Sequence, residues 1–179
     1  MDPAANVYMR KQTGLNSHAN LMIGRRYDVI ENEIELPYRY VMTVSEGQAP
    51  LFYGYYSGAF LIQLRLAQVL HSAGVDNLQL FPADIRREDT GEEISGYTTF
   101  NIVGRIACAV LKKSKSMPVA TSKYFTDLTI DPTKTSGQLM FRLHESPMVV
   151  LVHETVAKAI ETENFLGVVL KPVKEASEP

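Results

Sequence analysis

The apolar positions of this chain change period several times, and each change marks an element. Tyr38-Arg39-Tyr40-Val41-Met42-Thr43-Val44 alternates with the period of two that a half-buried strand needs, and a first strand is expected near Tyr27–Ile34. Beyond Ser57 the period lengthens. Ile62, Leu66, Val69 and Leu70 fall at helical spacing, Phe60, Leu64 and Ala67 lie on a neighbouring face, and only Arg65, Gln68 and Ser72 form a polar stripe. With Ser57 as N-cap and Gly74 in the left-handed position that ends it, the spacing predicts a helix over about 58–73. Short β-rich runs follow. They are Leu78–Phe81 closed by Pro82, the long stretch Tyr97–Leu111, Phe125–Ile130 and Val149–Val152. Within the long stretch Gly104 predicts a bulge or a close backbone approach, and Asn101 can satisfy backbone groups left unpaired there. Leu139–Leu143 is too short for periodicity to separate strand from helical turn.

Val149–Val152 runs into a second helix, about 153–164, with Val156, Ile160 and Phe165 inward and Glu154–Lys158 as an outward pair. Gly167 breaks it before a final strand, Val168–Leu170, and this strand–helix–strand unit predicts a right-handed parallel crossover. The pattern as a whole is α+β: a single domain over 1–179, with a mixed, mainly antiparallel sheet packed by the two principal helices. Residues 1–26 read as an arm or loop and 174–179 as a polar tail.

Composition adds bounds. The hydrophobic fraction of 45% and charged fraction of 21% are ordinary for a globular protein, and the net charge of -2 gives no global pull toward nucleic acid or anionic lipid. Charge is segregated along the chain, however. Asp84, Glu88, Asp89, Glu92 and Glu93 crowd around Arg86 and Arg87, whereas Arg105, Lys112, Lys113, Lys115 and Lys123 occur with no acid among them. Both runs read as solvated loops. The single cysteine, Cys108, excludes an intramolecular disulfide framework and a cysteine-based zinc cluster. No apolar run reaches the ~20 residues of a membrane helix. The first residues lack a basic-then-apolar secretory pattern, so a cytoplasmic protein without membrane partners is expected.

Catalytic signatures are missing where they would be read. His153-Glu154 starts like a zinc helix, but that motif needs a second His at 157, where Ala stands. Cys108 lies in the apolar run Ile106–Val110, the setting of an inert buried thiol. Arg142 lies in another apolar run, and a structural ion pair with an acid such as Glu145 is its expected role. No cofactor or metal is implied. A hydrolase or transferase would need Arg142, Glu145 and His153 gathered in one cleft. A nucleic-acid binder would use Tyr38, Arg39 and Tyr40 with the Lys112–Lys115 loop, a reading that the net charge disfavours.

Several ordered pieces carry a resemblance. They are Val75-Asp76-Asn77-Leu78-Gln79-Leu80-Phe81-Pro82, Tyr97 with Phe100-Asn101-Ile102-Val103-Gly104, and Asp131 followed by Leu139-Met140-Phe141-Arg142-Leu143-His144-Glu145. Val150–Glu154, Ala159-Ile160, Phe165–Val168 and Pro172-Val173 complete the set. Over 75–173 the chain resembles the immunity proteins of bacterial polymorphic toxin systems, first described from myxobacteria. The resemblance implies a non-enzymatic protein that binds and blocks a cognate toxin or secreted effector encoded beside it, and it carries no catalytic residues. Asn101, Arg142, Glu145 and His153 are then scaffold. Partner contacts are expected on Asp84, Arg86, Glu88, Asp89, Glu92 and Glu93, because clustered carboxylates suit a basic toxin cleft, and on the aromatics Tyr53, Tyr55 and Tyr56.

Overall fold

Strand β2 (Tyr38–Val44) buries Tyr38, Tyr40 and Met42 while Arg39 and Thr43 face solvent, as the alternation predicts. The computed structural model describes residues 7–11, 21, 23–27, 36–44, 55–56, 60–165 and 167–176. Most of the expected strand at 27–34, the proposed cap Ser57 and the ring of Tyr53 lie outside that set. The arm contributes β1 (Val7–Lys11), antiparallel to β2, and on its other side β2 pairs in parallel with β6 (Ala83–Arg87). Burial of Tyr38 and Tyr40 corrects the idea of a stacking platform for bases, since neither ring can reach a ligand.

A four-stranded sheet runs β3 (Tyr55–Tyr56), β4 (Leu61–Gln63), β7 (Tyr97–Ile102), β5 (Leu78–Phe81). Its strand β4 corrects the first helix, which is α1 (Leu64–Ser72) and starts six residues late. Phe60 adopts a left-handed backbone with φ 53°, and Leu61 and Ile62 then pair with Thr99 and Thr98. Long-range pairing, with both side chains fully buried, overrides the local helical spacing. The C-terminus of α1 follows the sequence. Gly74 is left-handed, its N–H donates to His71 and that of Val75 donates to Leu70, the double bond of a Schellman motif.

Strand β12 (Met140–Leu143) is buried at all four positions because it separates two cores. Met140 joins the main core of Tyr38, Tyr40, Ile62, Leu66, Phe100, Val156 and Ile160. Phe141 and Leu143 point the other way, into a smaller core with Cys108, Ile130 and Leu151. This double burial explains why the run is apolar without alternation. β12 pairs antiparallel with β13 (Ser146–Val152) and parallel with β8 (Arg105–Ile106).

Helix α2 (Glu154–Glu163) lies where predicted, with Val156 and Ile160 buried and Lys158 2.6 Å from Glu154. Asn164, with φ 49°, ends it ahead of Gly167. Val168–Leu170 forms no strand, so the predicted parallel crossover is absent. The C-terminal pairing is instead β14 (Lys174–Glu175) beside β11 (Thr129–Ile130), in parallel.

Both charged runs, read as loops, contain strands. The acidic run begins in β6, whose Ile85 is buried between outward Asp84 and Arg86, and returns through a turn to an isolated bridge between Arg86 and Glu93. The basic run holds a short 3-10 turn, Leu111–Lys113, and then the hairpin β9 (Lys115–Val119) and β10 (Ser122–Asp127). In each case an inward apolar residue, Ile85 or Phe125, seats the segment on a core.

Candidate partner-binding surfaces

The acidic edge is held together by its own charges. Arg86 Nε lies 3.1 Å from Asp84 Oδ1, and its guanidinium is 4.0 Å from Glu93. Arg87 grips Asp89 with two parallel bonds of 2.9 and 2.6 Å, and this hydrogen bonding lowers the Asp89 carboxyl to about 2. Glu88 accepts a 2.6 Å bond from the Thr43 hydroxyl. Glu92 and Glu93 are exposed at the end of the turn. Five carboxylates against two guanidiniums leave this edge anionic, with the most accessible charge at its tip. Tyr55 and Tyr56 pair with Ile62 and Leu61 at the margin of the four-stranded sheet.

The four polar residues read as scaffold are spread through the fold. Arg142, 1% exposed, faces the main core, its guanidinium 5.5 Å from the Phe60 ring centre and 5.9 Å from that of Phe100. Its Nη1 donates to the Pro147 carbonyl at 2.9 Å. The Glu145 carboxylate turns toward the other core, where Oε1 accepts from the Ala109 amide at 3.3 Å. Arg142 and Glu145, expected as a pair, therefore face different cores and do not meet. His153 is exposed and caps α2, its Nδ1 accepting from the Thr155 amide at 3.2 Å. Asn101 is fully buried and serves the arm: its Nδ2 donates to the Arg25 carbonyl and to Gln79, which in turn bonds both backbone groups of Tyr27. Gly104 does make a close backbone approach, its amide donating 2.7 Å to the Gly24 carbonyl.

The β9–β10 hairpin presents a surface that charge counting along the sequence missed. Met117, Val119 and Tyr124 are 54%, 52% and 56% exposed. The register sets Tyr124 opposite Met117 and Ser122 opposite Val119, so the three large side chains share one face. The signal was available in Met117-Pro118-Val119, an alternation of large apolar residues beside a lysine cluster. Cys108 lies beneath this part of the fold, fully buried, and burial with the nearby Glu145 and Asp131 charges pushes its thiol up to about 11.

Shallow grooves occur beside α1, one of them lined by Arg65, Val69, Ala159 and Glu163. Neither these grooves nor any other described feature gathers Arg142, Glu145 and His153 in one place. Among the described residues no helix is long and apolar enough to cross a membrane. No curated protein matches the chain. The family comparison does give a match, with the immunity protein family Imm11, and it spans residues 3–175. It extends the resemblance carried by 75–173 through the arm, β1, β2 and α1. By that match the chain belongs to the Imm11 immunity protein family.

Proposed function

We propose that this protein inactivates a cognate toxin or secreted effector by forming a stoichiometric complex with it, in the cytoplasm and without catalysing a reaction. The observation that carries this reading is the family match along 3–175, which includes every element of both cores. The dispersal of Arg142, Glu145 and His153 over core, second core and helix cap supports it against a hydrolase or transferase. The acidic edge is the first contact surface to test. Its exposed Glu88, Asp89, Glu92 and Glu93 suit a basic toxin cleft, and such charges act mainly on the rate of encounter.

Co-expression with the product of the neighbouring open reading frame tests the reading. The expected outcome is a 1:1 complex and survival of cells that the partner alone would kill. A folded chain that neither binds nor protects overturns it. Replacing Glu88, Asp89, Glu92 and Glu93 together by Ser or Asn should slow association about ten-fold at low salt and flatten its salt dependence. An unchanged rate would remove the acidic edge from the interface.

A further inference from the structure

We infer that the outward face of the β9–β10 hairpin is an anchoring contact for the partner, and that it fits an apolar socket rimmed by carboxylates. The inference rests on the toxin-binding reading above and assigns it a second surface. Met117, Val119 and Tyr124 form the apolar centre, and β10, which carries Tyr124, turns its neighbour Phe125 the other way. Phe125 packs into the smaller core and the Lys123 amide donates to the Glu145 carbonyl, so the outward side chains are held outward.

The hairpin is also preorganised, which lowers the ordering cost of binding. Ser122 donates to the Val119 carbonyl across the two-residue turn, Thr126 donates to that of Lys115, and Lys174 clamps Asp127 at 2.6 Å. Three large side chains on one rigid face are the kind of feature that interfaces use as anchors. The surrounding charge states the partner's chemistry. Lys112, Lys113 and Lys115 are exposed, and no acid occurs between Glu93 and Asp127. A surface of that sign selects carboxylates at the rim of the socket and repels a basic one.

The roles of the two surfaces separate kinetically. The acidic edge affects association, whereas the hairpin face governs how long the complex lasts. The probe is the neighbouring-gene product bound to the full chain. Met117→Thr, Val119→Thr and Tyr124→Thr combined keep β-compatible side chains and should speed dissociation by about thirty-fold or more. Lys112→Glu, Lys113→Glu and Lys115→Glu combined leave the apolar face alone and should slow association at low salt. Wild-type binding with both triple variants unchanged overturns the hairpin assignment alone. A dimer of the free chain that the threonine variant dissolves would also overturn it, by giving this face to a second copy. Failure of the wild type to bind overturns the toxin-binding reading and this inference with it.

Discussion

The acidic edge and the basic hairpin look alike in the sequence and differ in what the fold does with them. Both are short charged runs and both become strands. At the acidic edge Asp84 and Asp89 are tied to Arg86 and Arg87, Glu88 is bound to Thr43, and Ile85 roots the strand in the main core. At the hairpin and the turn before it, Lys112, Lys113 and Lys115 have no neighbouring acid in sequence, and of the hairpin only Phe125 reaches a core. Charge density along a chain thus overstates what a partner can use at one surface and understates it at the other. The rooted edge should be costly to disturb and partly self-neutralised. The hairpin should be cheap to alter and chemically available.

The largest contrast should come from truncating a buried side chain of the edge and an exposed one of the hairpin. Ile85→Ala, like Ile62→Ala or Leu66→Ala, removes a main-core side chain and should cost about 2–5 kcal/mol in denaturant unfolding. Met117→Ala, on the exposed face, should stay within about 0.5 kcal/mol. Equal losses at Ile85 and Met117 would break the comparison. Next in size is Phe125→Ala, expected to cost about 1–2 kcal/mol because the ring is only half-buried. Its local effect is legible at Cys108. The buried, high-pKa thiol should resist alkylation at pH 8 in the wild type and react faster in this variant, before global unfolding. Equal labelling rates would mean that the hairpin does not cover the smaller core.

A smaller effect is expected at the hairpin tip. Ala120 has φ 50°, a left-handed conformation that disfavours a Cβ, so Ala120→Gly should stabilise by up to about 1 kcal/mol in a melting experiment. A loss of stability would show that the turn relies on the methyl group. The smallest effect concerns the acidic edge. Asp89 should titrate near 2 by carboxyl NMR, below the usual value of about 4. Because its folded value is depressed, any stability from the Arg87 pair is fully present above the ordinary carboxylate range. It is lost as pH falls through about 2. Arg87→Gln should return Asp89 to the usual range, and a midpoint that stays put would assign the shift elsewhere.

Local chemistry in the sequence determined the parts of this protein whose causes lie within a few residues. Helix α2 is legible because its apolar face, its Glu154–Lys158 pair and its His153 cap fall inside one continuous segment. The Gly74 helix end and the alternation of β2 are legible for the same reason. The ordered motifs also led to the family, although over 75–173 only, because the arm and first strands offered few specific residues to read. Tertiary structure decided whatever depended on a distant partner. Residues 61–63 became a strand because Tyr97–Thr99 offered them a ladder. Arg142 turned away from Glu145 and toward Phe60 and Phe100 because β12 divides two cores and its even positions face the aromatic one. The charged runs folded as strands because Ile85 and Phe125 each found a core to enter. Val168–Leu170 had the residues of a strand but no strand to pair with. A strand is completed by hydrogen bonds to another segment, and that other segment is not written in its own residues.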